Sequence, residues 1–298
     1  MKQLGAYFTL ILSYFFNLLP KFILYRFADV FYIILFDIIR YRRKVVFKNL
    51  KNSFPEKSDR EIYKIARKFY LHLSDTFVEN CALLTMSKKR TLKFVQIDNS
   101  NLINNLFDKN KNIVAVTGHY GNWEMFLTIP LLSSHQVLGV YKPLNNKYFD
   151  RIFYKMRQKF GAHPVTMHNT YKSVLEYKRN NKLTLLGLIA DQRPQKQAGN
   201  YWTKFLNQDT VVFLGPEKLS QKLNASVVFV YLEKKQRGKY ILKTKLLFEN
   251  SEDCKPYEIT NTYLSILEKM IINKPQYWLW SHKRWKHKRE HNFVNVEQ

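Results

Sequence analysis

His119 and Glu124, set in the run Gly118-His119-Tyr120-Gly121-Asn122-Trp123-Glu124, have the types and spacing that suit proton transfer. A histidine held by a carboxylate has one ring nitrogen fixed as a donor and the other free to take a proton from a hydroxyl. The two residues are five apart, and on a continuous helix at ~100° per residue they would point about 140° away from each other. His119 must therefore lie on a loop, with Glu124 in the first turn of the helix that Asn122-Trp123-Glu124-Met125 opens. Gly118 and Gly121 let the backbone bend tightly between them. In that geometry Glu124 fixes the His119 tautomer and stabilises the imidazolium. No Ser or Cys lies inside the run, which favours direct transfer to an incoming hydroxyl over a covalent enzyme intermediate. For an isolated His-x4-Glu the commoner reading is a structural histidine beside a helix-capping glutamate, so the surrounding chain has to decide.

Such a turn needs a strand before it and a helix after it. Ile113 to Thr117 is a β-branched block that reads as a buried parallel strand. Similar blocks follow at Gln136 to Tyr141, Leu183 to Ala190 and Ser226 to Leu232, separated by helical stretches at Tyr148 to Phe160, Tyr171 to Arg179 and Pro216 to Leu223. This alternation predicts an α/β fold: a mixed, mostly parallel sheet flanked by helices. Ser226 to Glu233 and Tyr240 to Glu249 read as an antiparallel hairpin appended to it, and a last helix spans roughly Asn261 to Ile272. Upstream, Ser58-Asp59-Arg60-Glu61 has the spacing of a capping box, and Ile62, Ile65, Ala66, Phe69 and Leu73 then recur at helical intervals.

With 298 residues, 46% of them hydrophobic, the chain can bury a substantial core. Its 49 Lys and Arg against 23 Asp and Glu give a formal charge of +26, which points to an anionic partner. Residues 5–19 carry no charge, and a second apolar stretch over residues 22–39 is broken by Arg26, Asp29 and Asp37. Neither is a clean spanning helix, and the first is short against the ~20 apolar residues that cross a bilayer, leaving a buried or half-inserted membrane helix and a span as alternatives. Only Lys2 precedes the first stretch and no small-x-small site follows it, which argues against a cleaved signal peptide. The basic run Arg40-Tyr41-Arg42-Arg43-Lys44 favours holding the body on the cytoplasmic side of a membrane, against anionic lipid. The expected organisation is a membrane-associated helical segment over residues 1–45 and a single α/β domain over residues 46–298. Cys81 and Cys254 form no disulfide or zinc pattern and are expected as buried thiols. His72, His135, His163, His168, His287 and His291 show no metal spacing; no metal or cofactor is expected.

The company of the motif resembles a known family. GHYGNWE followed by Tyr141-Lys142-Pro143, Arg157, Asp191-Gln192 and the tail Pro275-Gln276-Tyr277-Trp278-Leu279-Trp280-Ser281-His282-Lys283-Arg284-Trp285 is similar to the late lipid A acyltransferases of Gram-negative bacteria, as are Asn49-Leu50 and Phe54-Pro55-Glu56. The resemblance covers about residues 40–286. It implies a membrane-bound O-acyltransferase that moves a fatty acyl chain from acyl carrier protein to a hydroxyl of a lipid A precursor, at the cytoplasmic face of the bacterial inner membrane. It makes His119 and Glu124 the catalytic pair and sets Arg157, Asp191 and Gln192, with Asn122 and Tyr141, among substrate-binding or oxyanion residues. The partners it implies are acyl carrier protein, the lipid A precursor or a related anionic lipid, and the membrane. Read alone, Arg157 is a solvated side chain off the apolar stripe of its helix. Trp278, Trp280 and Trp285 suit either a lipid-headgroup surface or packing beneath the sheet.

Phe205-Leu206-Asn207 departs from the family's Phe-Phe-Gly, although Asn tolerates left-handed angles and the turn can survive. Glycerophosphate-type acyltransferases share a His-x4-acid core but carry a Ser within it and an Asp at its end, unlike this chain. The alternatives are an acyltransferase for another membrane acceptor (lysophospholipid, glycolipid or aminolipid) and a non-enzymatic basic membrane- or nucleic-acid-binding protein. No helix-turn-helix, zinc or RNA-binding signature supports the nucleic acid, which is not an expected partner.

Overall fold

A computed structural model of the chain describes residues 2–98, 101–194 and 201–289; His291 lies outside them. The chain opens with α1 (Lys2–Leu18) and α2 (Lys21–Ile33), continues through a π-helical turn (Ile34–Ile38) into α3 (Arg43–Ser53), and then forms the long α4 (Asp59–Leu83). The Ser58–Glu61 capping box starts α4 as its spacing requires: the Ser58 hydroxyl accepts the Glu61 N–H, and the Glu61 carboxylate accepts the Ser58 N–H. A short α5 (Lys88–Thr91) leads to β1 (Val95–Ile97), α6 (Leu102–Asp108) and β2 (Ile113–Thr117). After the motif and a 3-10 run over Trp123–Leu132 come β3 (Gln136–Tyr141), α7 (Lys147–Gln158), β4 (His163–Thr166), α8 (Thr170–Arg179) and β5 (Thr184–Ile189). The hairpin β6 (Tyr201–Phe205) and β7 (Gln208–Val212) precedes α9 (Gly215–Leu223), β8 (Ser226–Gln236), β9 (Lys239–Phe248) and α10 (Glu258–Asn273).

Seven strands form one sheet in the order β1-β9-β8-β2-β5-β3-β4. Each neighbouring pair is parallel except β8 and β9, the antiparallel hairpin. All five residues of β2 are buried. Ile113 and Ala115 join the core under α4 and the N-terminal helices, whereas Val114 and Val116 face the opposite side. A strand covered on both faces has to be apolar throughout, which is why β2 shows no polar alternation.

The N-terminal helices share that first core. Phe16, Leu24, Tyr25 and Ala28 pack in one cluster with Val78 and Ala82 of α4 and with Val228, Val230 and Leu232 of β8. Their other faces are bare: Leu4, Phe8, Ile11 and Leu18 of α1 and Phe22, Val30 and Ile33 of α2 are exposed. Among the described residues, no helix is long and apolar enough to cross a membrane. The basic run that follows is partly engaged with the body: Arg42 Nη1 donates to the Ser281 carbonyl at 3.0 Å, and the Arg43 guanidinium lies 4.5 Å from the Phe36 ring centroid.

Several features differ from the sequence reading for identifiable reasons. β4 contains Pro164, which removes a ladder donor and is tolerated because β4 is at the edge of the sheet. The β6–β7 turn has no glycine; Leu206 and Asn207 both take left-handed angles, φ 50° and 61°. Leu206 holds this conformation because its side chain is buried and its N–H is accepted by Glu268 at 2.5 Å. The segment after the motif is 3-10 rather than α, and Pro130 inside it lacks the N–H that an α-helix would use to reach the Phe126 carbonyl. Cys81 is buried as expected, but Cys254 is only half-buried.

α10 lies beneath the motif, and its start is held from a neighbouring helix. The buried Glu217 of α9 accepts the N–H groups of Tyr257 at 2.6 Å and Thr260 at 3.0 Å, satisfying donors that α10 cannot satisfy itself. Glu217→Ala leaves both amides unsatisfied in a dry site, and denaturant titration of the full chain is expected to show a loss of about 1–3 kcal/mol.

Candidate active site

The parallel register of β2 and β5 builds the centre of the site. Thr117 pairs with Ile189, so His119 and Asp191, each two residues further on, emerge together at the carboxyl edge of strands ~4.8 Å apart. Asp191 Oδ1 lies 2.6 Å from His119 Nδ1. Asp191 Oδ2 accepts the His119 main-chain N–H at 2.9 Å and the Trp278 indole N–H at 2.7 Å. Asp191 is 1% exposed, so these donors replace water for a carboxylate that could not otherwise remain charged.

Burial pushes the Asp191 pKa up, but the charge of His119 and the hydrogen bonds from His119 and Trp278 outweigh it and hold the carboxyl below its usual range. An ionised Asp191 can only accept, so the Nδ1 position of His119 carries the hydrogen, and in the neutral ring Nε2 presents a lone pair. His119 keeps 17% of its side-chain surface exposed, enough for Nε2 to meet a substrate.

The approach is close because Gly118 has no side chain. A Cβ there would lie 2.7 Å from Leu267 Cδ2 of α10 and 3.3 Å from Asp191 Cγ. Gly121 then takes φ 68°, and its N–H donates to the Tyr277 carbonyl at 2.9 Å while Tyr120 forms a β-bridge with Trp278. The tryptophan-rich tail is thereby stitched to the motif. Trp278 and Trp280 are buried, as are Ser281 and Arg284, so this tail packs within the body and presents chiefly Lys283 and Lys286 to solvent. Burial pushes the pKa of the half-exposed His282 down to about 4, which leaves it neutral beside Asp191.

Glu124 occupies a different place from the one its spacing suggested. The His119 Nδ1 position is taken by Asp191, and the Glu124 carboxylate faces Arg157, with Oε1 to Nη2 at 3.8 Å. The Arg157 guanidinium also lies 5.1 Å from the Tyr141 ring centroid and 5.7 Å from that of Phe153. Glu124, Arg157 and Tyr141 thus form a second, more open group, joined to the first through Trp123, whose ring meets the His119 ring edge-on at 5.2 Å. Gln192 is half-buried next to Asp191. Asn122 is fully buried, and its side chain donates to Glu79 rather than facing the opening.

The 72-residue separation between His119 and Asp191 put their bond beyond any local spacing argument. Trp278 as a donor to Asp191 had no sequence signal apart from lying in the tail. Among the described residues, no three His, Cys, Asp or Glu side chains are grouped closely enough to hold a metal ion.

A histidine held by a buried carboxylate at the carboxyl edge of a mostly parallel sheet defines the class: an α/β protein equipped to take a proton from a bound hydroxyl. The family model for bacterial lipid A biosynthesis acyltransferase matches residues 1–287, and the chain belongs to that family. It is an acyltransferase. A search of curated proteins returned no match.

Asp191→Asn preserves shape but supplies an amide where the imidazole needs an anionic acceptor, so acyl transfer is expected to fall by about 10³–10⁴-fold in kcat. The same pair makes stability depend on pH. Because the folded-state pKa of Asp191 is depressed, its contribution is fully present above the unfolded value of 3.8 and is lost as pH falls through the folded one. The stability difference between wild type and Asp191→Asn is therefore expected to hold at neutral pH and to shrink only as pH falls below about 3.8, through the folded-state pKa.

Proposed function

We propose that the protein transfers a fatty acyl chain from an acyl-carrier-protein thioester to a hydroxyl of a lipid A precursor at the cytoplasmic face of the bacterial inner membrane. The observation that carries this reading is the His119–Asp191 pair at the sheet edge, in a chain that the family model spans almost entirely. His119 Nε2 removes the acceptor proton as the hydroxyl oxygen attacks the thioester carbonyl. Asp191 stabilises the imidazolium that forms. Collapse of the tetrahedral intermediate breaks the carbon–sulfur bond, and the imidazolium returns its proton to the departing thiolate. No protein nucleophile is needed, because the acceptor supplies the oxygen.

Arg157, set over Tyr141 and beside Glu124, is the cation best placed to hold the anionic part of a substrate against the opening. Glu124 limits the freedom of that guanidinium and acts on the reaction through substrate placement. The formal charge of +26 suits both an acidic carrier and a phosphorylated lipid. The exposed apolar faces of α1 and α2 suit an in-plane seat in the headgroup region, with the opposite faces buried on the protein.

Incubation with acyl-carrier-protein thioesters and lipid A precursors, read by product mass, tests donor and acceptor together. The expected product is the precursor heavier by one acyl chain. His119→Ala is expected to abolish transfer, and Glu124→Ala to raise KM through the Arg157 placement it supports, while folding and membrane binding persist in both; full activity in His119→Ala would overturn the assignment. Cells lacking the protein should accumulate lipid A one acyl chain short; an acyl deficit confined to a phospholipid, glycolipid or aminolipid would move the acceptor to that class.

A further inference from the structure

Glu79, near the end of α4, is 0% exposed and unused by the chemistry above. Its Oε1 accepts the Tyr25 hydroxyl of α2 at 2.6 Å. Its Oε2 accepts the Tyr240 hydroxyl of β9 at 2.8 Å and the Asn122 side-chain amide at 2.8 Å. One buried carboxylate therefore holds α2 by one oxygen and the chemistry-bearing turn by the other.

The link is reinforced one helical turn earlier on α4 and one later on α2. Asp75 and Asp29 are bridged by Arg237, whose Nε donates to Asp75 at 2.7 Å and whose Nη2 donates to Asp29 at 2.7 Å; Lys234 Nζ donates to Asp75 at 3.1 Å. The Arg237 guanidinium lies 4.6 Å from the Tyr25 ring centroid. A Cβ on Gly238 would meet the Tyr25 hydroxyl oxygen, so the β8–β9 turn leaves Tyr25 little room to swing away from Glu79. Asn122 is also 0% exposed, and its carbonyl accepts the Met125 N–H at 3.0 Å, the bond that opens the 3-10 run carrying Glu124. Moving Asn122 therefore moves the backbone between His119 and Glu124.

A buried carboxylate is a costly way to fill a core, since apolar residues of similar volume often stabilise as well or better. What it provides here is direction. Carboxylate oxygens accept along defined lines, so Tyr25 and Asn122 are fixed relative to one another across the body.

We propose that Glu79 is a positioning residue that couples the seating of α2 to the geometry of the Gly118–Glu124 turn, acting through Asn122. α2 is then a part of the active-site support as well as a carrier of exposed apolar side chains, Phe22, Val30 and Ile33. The kinetic consequence rests on the acyl-transfer reading; the structural coupling does not.

Two measurements on the full chain in detergent separate these. Tyr25→Phe deletes only the hydroxyl that ties α2 to Glu79. Amide hydrogen exchange is expected to quicken at residues 118–125 as well as within α2, and kcat to fall about tenfold with KM unchanged, on the scale of one lost hydrogen bond. In an Asn122→Ala background the same substitution should add much less, because the path is already cut. Glu79→Gln, where it folds, should quicken exchange at both sites. Faster exchange confined to α2, or additive effects of Tyr25→Phe and Asn122→Ala on kcat, would overturn the coupling. Should wild type transfer no acyl chain to any acceptor offered, the functional reading fails, and exchange at residues 118–125 in Tyr25→Phe still decides the coupling.

Discussion

Thr117 and Ile189 face each other across β2 and β5, and that parallel pairing places the chemistry of the molecule. Had the register slipped by one residue, Asp191 would have pointed to the other face of the sheet, and His119 would have had no acceptor for Nδ1. The register is protected because β2 and all of β5 but its end at Ile189 lie between two apolar layers, so a slip would exchange the layer that each side chain faces. The cores on either side of the sheet therefore do more than stabilise it. They hold an imidazole within hydrogen-bond reach of a carboxylate.

Around that pair, the structure surrounds its buried carboxyl groups with hydrogen-bond donors. Asp191 has two from His119 and one from Trp278; Glu79 has two tyrosines and Asn122; Glu217 has two main-chain amides. In each case the donors come from elements distant in sequence, so each carboxylate also fixes how those elements sit. The tail holds Asp191, α2 and β9 hold Glu79, and α10 is held by Glu217. The site is the place where these separately anchored elements converge.

Much of the frame was legible in the sequence. The apolar blocks at Ile113 to Thr117 and Gln136 to Tyr141 coincide with β2 and β3, and Ser58 and Glu61 start α4, because local chemistry decides these features. His119 does lie in the turn after β2, although the contact with Glu124 that was the reason for expecting it there is not the one it makes. What spacing could not supply was the partner. Glu124 was the nearest carboxylate in sequence, whereas Asp191 becomes the nearest in space only once two strands pair. β4 and the β6–β7 hairpin were hidden for a related reason: Pro164 and the Leu206-Asn207 turn break the usual rules and are rescued by edge placement and by Glu268. The tryptophans of the tail fitted two sequence readings, and packing was decided by a bridge between Tyr120 and Trp278 that only the folded chain makes.

The tautomer of His119 is the most direct report on this arrangement. In ¹⁵N-labelled protein, the neutral His119 imidazole is expected to show a protonated Nδ1 and an unprotonated Nε2, with the Nδ1 proton shifted far downfield by Asp191 and displaced in Asp191→Asn. A protonated Nε2 in the neutral ring, or a His119 spectrum indifferent to the loss of the Asp191 carboxylate, would contradict it.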